Sequence, residues 1–317
     1  MSETVPGLII RSQAGYMTVH TESGDYNCRV RGKLRRGRAS GDLAAVGDRV
    51  LIDPQPDMTG TIAKVQPRTS VLSRALSGVN YSYQQVILAN ADQILIVFAC
   101  QQPEPHLRML DRFLVVAERA HIPAIIVVTK LDLTTQAFAE SIFGIYEKLG
   151  YPVIYTSSKS NEGIERLKTY LPDKISSLAG PSGVGKTSLL QKILPNLHLL
   201  VREVGLGAQG KGRHTTQVRQ LYPLDSGGWL ADTPGMRTLA LWDITGEELD
   251  AYYREITPLI ASCQFNDCTH SHEPGCAVRK AVENGQIAQS RYDSYLRLRF
   301  GDKRSLEEDI SQFYDEE

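Results

Sequence analysis

The octet Gly180-Pro181-Ser182-Gly183-Val184-Gly185-Lys186-Thr187 fits the pattern G-x-x-x-x-G-K-[ST], the phosphate-cradling P-loop. Its glycines permit backbone turns that aim successive N–H groups inward as an anion nest. Lys186 can reach β- and γ-phosphates, and the Thr187 hydroxyl can ligate Mg²⁺. "KISSLAG" before the octet reads as a strand and "KTSLLQKIL" after it as a helix, with Ser188 in the first helical turn. The helix adds its positive N-terminal end to the phosphate site. A P-loop usually opens its domain, yet this one starts at residue 180.

The sequence upstream supplies a reason. "ADQILIVFAC" (91–100) is a near-continuous apolar run, the mark of a strand buried on both faces. "LRMLDRFLVVAERAHI" follows with helical spacing, placing Leu107, Leu110, Phe113, Leu114 and Ala117 on one side. "PAIIVVTK" and "PVIYTSS" are two further strands, with a helix near 135–149 between them and another in "EGIERLKTYL". Strands alternating with helices predict a doubly wound parallel α/β sheet. "SVLSRALSGVNYSYQQ", ahead of this region, reads as a polar connection without a period.

Ligands of such sheets sit at the strand ends. Thr129-Lys130-Leu131-Asp132 closes the second of these strands and resembles the guanine-reading N/T-K-x-D element of Ras-like GTPases. An Asp132 carboxylate can accept both the ring N–H and the exocyclic amine of guanine; adenine offers no such pair. Lys130 can lay its methylene stem along the base. "TSSKSNEG" at the next strand end, with Ser157, Ser158 and Lys159, is similar to the S-A-K loop of the same proteins, in which a backbone N–H meets the guanine carbonyl. After the P-loop, "GKGRHTTQ" (210–217) carries Thr215 and Thr216, as expected of a switch that one threonine closes over Mg²⁺ and γ-phosphate. "GGWLADTPG" is a strand ending in Asp232-Thr233-Pro234-Gly235, a D-x-x-G element. There Asp232 would hold Mg²⁺ through water, and the Gly235 N–H would sense the γ-phosphate.

Both ends of the chain differ from this middle. Residues 1–72 show short alternating stretches ("GYMTVHT", "YNCRVRG", "DRVLID", "GTIAKVQ") punctuated by Gly and Asp, which suits an OB-like β-barrel. Within them Arg29, Arg31, Lys33, Arg35, Arg36 and Arg38 are six cations in ten residues without an acid, a pattern for phosphate contacts with RNA. Tyr16 and Tyr26 form no tight aromatic cluster, and Cys28 reads as a small core residue. Six acids and no base occupy 307–317, so the net charge of −1 hides a polyanion-facing front and a solvated tail. No apolar run approaches the roughly 18 residues of a membrane span, and no secretory signal opens the chain. Five cysteines, three of them within 263–276, do not resemble a disulfide framework and fit a reducing cytosol.

In the rear, residues 241–317, "GEELDAYYREITPLIASC" has helical spacing with Thr245 as N-cap. Cys263-x4-Cys268-x-His270-x5-Cys276 offers three thiolates and one imidazole, a tetrahedral Cys₃His zinc set with no open position and therefore structural. His272 is the rival imidazole. From Arg279 onward a helix presents Arg291, Arg297 and Arg299 as a basic face, toward RNA or toward solvent.

The GTPase elements run in the order guanine-reading, P-loop, switch, D-x-x-G, whereas Ras-like proteins begin with the P-loop; this is a circular permutation. With an OB-like front and a Cys/His rear, the whole chain resembles the RsgA (YjeQ) family of circularly permuted GTPases of small-ribosomal-subunit assembly, including the strings G-x-S-G-V-G-K and G-R-H-T-T. The resemblance implies three domains: an OB-fold RNA-binding domain (1–72), a permuted Ras-like GTPase domain (73–240) and a helical zinc-binding domain (241–317). It implies GTP, Mg²⁺ and one zinc ion as ligands, the 30S subunit and its rRNA as partner, and a cytoplasmic location. No heptad or repeat suggests assembly, so a monomer is expected. The family pattern selects His270 over His272. Met236 stands where Ras-like enzymes carry a water-orienting Gln, and the resemblance points to His214 for that role; contact with RNA or protein, or structuring of the switch, are its other readings. Thr129 departs from the more usual Asn and implies a weaker or differently braced base grip. Two other functions fit the residues: a regulatory GTPase with a non-ribosomal partner, and an RNA-binding scaffold with a degenerate nucleotide site.

Overall fold

The computed structural model describes residues 4–13, 15–31, 43–75, 84–195, 219–232 and 246–301. Five strands form the front barrel: β1 (Val5–Gln13), β2 (Tyr16–Thr21), β3 (Gly24–Val30), β4 (Arg49–Pro54) and β5 (Thr59–Val65). They pair in the order β1-β2-β3-β5-β4, and β4 closes on β1. Alternation decides which side chains point inward: Val19, Cys28, Val50, Ile52 and Ile62 are fully buried. Strands β1 and β2 pack tightly at Gly7, where an added Cβ would sit 2.4 Å from a Val19 methyl and 2.8 Å from His20 O.

The barrel is not a separate bead. The first half of β1 pairs with β4; then, past a bulge between Ile9 and Arg11, Arg11 and Ser12 pair with β12 (Arg219–Pro223). One strand thus leaves the barrel and joins the mainly parallel sheet of the middle region, and eleven strands form a continuous sheet. Asn90 reinforces the junction: its amide donates to Gly47 O at 2.9 Å and its Oδ1 accepts the Thr69 N–H at 2.8 Å. The stretch read as a polar connection instead begins and ends in paired antiparallel strands, β6 (Val71–Ala75) and β7 (Gln84–Ala89). A bulge between Leu72 and Ser73 breaks the alternation by which a strand would be recognised.

The sheet of the middle region runs β10 (Val153–Tyr155), β9 (Ala124–Thr129), β8 (Gln93–Ala99), β11 (Ile175–Ala179), β13 (Trp229–Asp232) and β12. All but β12 are parallel. Two layers cover it, as the period-2 burial of β8 requires. Ile94, Ile96 and Phe98 face α1 (Leu107–Arg119) and α2 (Gln136–Lys148). Leu95, Val97 and Ala99 face α3 (Ile164–Lys168) and α4 (Lys186–Ile193). Leu110, Phe113, Leu114 and Ala117 of α1 are buried as their spacing demands. The Thr135 side chain caps α2 by accepting the Phe138 N–H at 3.3 Å, a contact worth about 1 kcal/mol.

The rear departs from expectation twice. Its first segment forms two 3₁₀ stretches, Gly246–Tyr252 and Thr257–Ser262, rather than an α-helix; Pro258, near the start of the second, has no N–H for a helical ladder. Thr245 lies outside the described residues. The C-terminal helical stretch is two helices, α5 (Ala277–Glu283) and α6 (Gln289–Phe300), parted at Gly285 with φ 72°. The basic face dissolves with them. Arg291 is 3% exposed and bound to Asp111 and Glu255. Arg299 lies against Tyr295 and Asp250, and Arg297 alone of the three is exposed.

Candidate functional site

The sheet gathers the sequence motifs at one edge. Ala99 is in register with Thr129, Ala179 with Ile96, and Tyr155 with Val128. The ends of β8, β9, β10 and β11 therefore lie side by side, with Asp232 ending β13 next to β11. Chain order reverses between β8 and β11, which makes their shared crevice the topological switch point, and the P-loop emerges there.

Gly180 starts the loop at φ 138°, where an added Cβ would lie 2.2 Å from Val97 O; only glycine fits. The Lys186 ammonium donates to Gly180 O at 2.8 Å and to Pro181 O, curling over the loop from the start of α4. Thr187 and Ser188 are exposed on that first turn, Val184 is buried beneath it, and Ser182 and Gly183 face outward.

At the end of β9, where the sequence predicts the guanine contacts, Lys130 holds a left-handed conformation (φ 59°, ψ 35°). Its ammonium donates to Gln102 O, in the segment between β8 and α1. Thr129 is 2% exposed, and its hydroxyl donates to Val184 O at 2.5 Å. Leu131 is buried, and its N–H donates to Thr156 O at 3.1 Å, joining the two guanine-side loops. The Ser157 hydroxyl donates to Asp132 Oδ1 at 2.5 Å while accepting the N–H groups of Lys159 and Ser160 at 3.2 Å. Asp132 is thereby oriented yet exposed, with Ser158 and Lys159 beside it. An exposed, pre-aimed carboxylate beside a backbone-rich loop can read two adjacent N–H donors of a purine.

His214, Thr215, Thr216 and Gly235 lie outside the described residues, as do Met236 and, in the barrel, Lys33, Arg35, Arg36 and Arg38. The described part of Asp232 is its backbone. Arg29 and Arg31 are exposed on and just after β3. The Arg29 guanidinium lies 4.2 Å from the Tyr16 ring centroid, and Arg31 pairs with Asp53 at 3.2 Å.

A second constellation forms in the rear. The ligand atoms of Cys263, Cys268, His270 and Cys276 all lie within 4.8 Å of one another. His270 Nδ1 is 3.5 Å from the sulfurs of both Cys263 and Cys276, which are 4.0 Å apart. Zn–S bonds of about 2.3 Å in a tetrahedron place sulfurs roughly 3.7 Å apart, so the donor set fits such an ion. Burial pushes the Cys263 thiol up, but the Ala277 and Val278 N–H groups, with the His270 ring, bring it below its ordinary value. His270 Nε2 lies 3.3 Å from Asp250 Oδ2 without hydrogen-bond alignment. His272 is exposed and bonded to Ser271; it is not part of the cluster.

The sequence model of the RsgA GTPase family matches residues 65–242, and that of the RsgA N-terminal domain residues 6–62. The chain belongs to the RsgA GTPase family. It is 42% identical over 302 residues to a small ribosomal subunit biogenesis GTPase RsgA of Gemmatimonas aurantiaca, covering 94% of this chain and 98% of the relative. The counterpart from Caldanaerobacter subterraneus is 40% identical over 296 residues, covering 93% and 95%. Among solved structures, YjeQ from Thermotoga maritima aligns with a TM-score of 0.76 at 34% identity, covering 95% of this chain and all of that one. YloQ, a circularly permuted GTPase, aligns at 0.71 and 32%, covering 99% and 96%. As an RsgA GTPase the chain hydrolyses GTP, with Mg²⁺ as the nucleotide's counter-ion. No helix among the described residues is long and apolar enough to cross a membrane.

Reading motifs missed the Gln102–Lys130 contact and the Arg291 network. Both join residues from distant segments through a backbone carbonyl or a buried ion pair, and neither has a local spacing.

Proposed function

We propose that this chain assists late maturation of the small (30S) ribosomal subunit, binding its rRNA in the GTP state and leaving after hydrolysis. The observation that carries this reading is the convergence of four strand ends on one edge, with Thr129 bonded to the P-loop and Ser157 bonded to Asp132, in a chain whose relatives bear that name.

In this reading Gly180–Ser188 cradle the phosphates, Lys186 neutralises the β- and γ-phosphates, and Thr187 and Asp232 serve Mg²⁺. Asp132 reads guanine; Lys130, with Leu131 beneath it, lies along the base; Ser157, Ser158 and Lys159 close over its carbonyl edge. Thr215, Thr216 and Gly235 respond to the γ-phosphate, and His214 orients the water. Cys263, Cys268, His270 and Cys276 hold one structural zinc, which would tie the rear together. Arg29, Arg31, Lys33, Arg35, Arg36 and Arg38 contact rRNA phosphates. The functional units are the RNA-binding barrel (1–72), the GTPase (73–240) and the zinc region (241–317), in a cytoplasmic monomer.

The test is GTP turnover with purified small subunits, with large subunits, and alone, alongside ATP. Small subunits should raise the rate, by about 10³–10⁵ if they complete the site as partners of other GTPases do. Stimulation by large subunits alone, or equal use of ATP, overturns the proposal. His214→Ala should slow single-turnover hydrolysis while leaving GTP affinity nearly intact.

A further inference from the structure

Two consecutive residues of α6 bond to different parts of the protein. Tyr292 turns to the zinc-ligand loop, its hydroxyl donating to His270 O at 2.6 Å. Arg291 turns to α1, donating to Asp111 and, at 2.7 Å, to Glu255 Oε1 of the rear region. Asp111 is 2% exposed and also accepts the Tyr146 hydroxyl of α2 at 2.8 Å. Burial pushes its carboxyl up, with Arg291 opposing. The far end of α1 is held as well: Arg254 Nε donates to Glu118 at 2.7 Å and its NH1 to Gly150 O at 3.0 Å, while Tyr151 also donates to Glu118. The rear region therefore grips α1 at two points about two turns apart.

What α1 carries at its N-terminal end is the nucleotide site. Residues 100–106 run from the end of β8 into α1. Within them Gln102 offers its carbonyl to the Lys130 ammonium, and Pro103 Cδ lies 3.7 Å from where a Cβ on Gly183 would stand. Cys100 Sγ donates to Lys130 O at 3.1 Å. The same short segment thus braces the guanine-side lysine and lies against the P-loop.

We propose that Arg291 is a positioning residue for the nucleotide site: by fixing α1, it fixes the 100–106 segment and hence Lys130. The zinc-bearing region would then act on nucleotide retention from the guanine side, by a route that does not pass through the D-x-x-G segment. The inference rests on the reading of Lys130 as a base-side contact. Its energetic logic is that of a buried ion pair: once Asp111 and Glu255 are desolvated, loss of the guanidinium leaves two uncompensated carboxylates, and the interface must open to rehydrate them.

The experiment uses the full-length, zinc-loaded protein and a fluorescent GDP whose dissociation is followed by stopped flow. Arg291→Met should raise the GDP off-rate about tenfold, as expected if Lys130 loses the one charge-assisted hydrogen bond to Gln102 O that holds it. Arg291→Lys, which can still pair with Asp111, should recover part of it. Hydrogen exchange should accelerate in 101–106, and zinc content should stay at the wild-type value. Because Arg291→Met risks misfolding, Arg254→Met, half-exposed at the other grip point, gives a second reading: a smaller rise in off-rate in the same direction. Tyr292→Phe combined with Tyr295→Phe, which removes the hydroxyl ties of α6 to His270 O and Thr269 O, should make the off-rate less sensitive to zinc chelation. Lys130→Ala separates the two levels of the argument. If it leaves GDP binding unchanged, the base-side reading of Lys130 fails. If it weakens binding while Arg291→Lys and Arg254→Met leave both off-rate and exchange unchanged, the positioning role is wrong.

Discussion

The Thr129 hydroxyl donates to the Val184 carbonyl at 2.5 Å, tying the end of β9 to the middle of the P-loop; a second carbonyl, Phe98 O, lies 3.3 Å away. A hydroxyl has one proton, so it secures one of these carbonyls at a time. Threonine at this position thus bonds to the phosphate loop, and in the proposed site the base is left to Asp132. Thr129→Val preserves shape and leaves Val184 O buried without its donor, at a cost of about 1–3 kcal/mol. Affinity should fall to a similar extent for GTP, GDP and the inosine nucleotide, because the P-loop is common to all three. Titration calorimetry with each decides it: a loss confined to guanine nucleotides would place Thr129 on the base instead.

Asp132 and Ser157 make a separable prediction. The 2.5 Å contact aims the carboxylate, and the Ser157 hydroxyl is held in turn by two backbone N–H groups. Asp132→Asn replaces one acceptor oxygen with a donor, which matches the C2 carbonyl of xanthine rather than the guanine amine. GTP affinity should drop by roughly 10²-fold or more, as for sites whose buried polar groups lose their partner, and xanthosine triphosphate should compete where it did not before. Ser157→Ala should cost GTP binding several-fold without gaining xanthine. Competition binding with both nucleotides measures this.

Gly180 is the most constrained position in the phosphate loop. Its φ of 138° disfavours any side chain, and the Val97 carbonyl occupies the Cβ position at 2.2 Å. Gly180→Ala must push β11 from β8 at the switch point. It should lower thermal stability by about 1–3 kcal/mol and abolish measurable GDP binding, read by differential scanning calorimetry with and without nucleotide. Retained nucleotide-dependent stabilisation would show that the strands can part at no cost to the loop.

What could be read from sequence was whatever has a short period or fixed spacing. Apolar runs placed β8 and β9, as strands buried on both faces are rich in apolar residues; β11, with Ser176 and Ser177 buried, was placed by the P-loop that follows it, and the order of motifs announced the permutation. Cys263, Cys268, His270 and Cys276 converge as their spacing required. Charge misled where its partner was remote. Arg291 looked like part of a basic face because Asp111, which neutralises it, lies 180 residues earlier. The β6–β7 pair escaped because a bulge disrupts its period, and the 3₁₀ stretches of the rear share helical spacing without an α-helix's length. The fusion of barrel and GTPase through β1 and β12 has no sequence signature, since an edge pairing of two residues adds nothing to either strand's pattern.

Glu273 gives the pH prediction. Burial works against its charge, yet the Thr269 hydroxyl and N–H, and the N–H groups of Ser271 and His272, bond to it at 2.5–3.2 Å. Together they hold its carboxyl far below the ordinary carboxylate range. The sign follows: with a folded value below the unfolded value of about 4.3, Glu273 stabilises the loop between His270 and Cys276 fully above that pH. The contribution is lost as pH falls through the folded value. Protection of the Thr269, Ser271 and His272 amides should therefore be constant from neutral pH down to about 4.3 and decline only in stronger acid. In Glu273→Ala the same three amides should exchange faster at neutral pH, and the difference from wild type should close as acid removes the wild-type charge. Hydrogen exchange followed by NMR, corrected for intrinsic rates, reads both. If wild-type protection instead collapses near pH 4.3, the carboxylate is not held by these donors, and the loop owes its shape to the thiolate cluster alone.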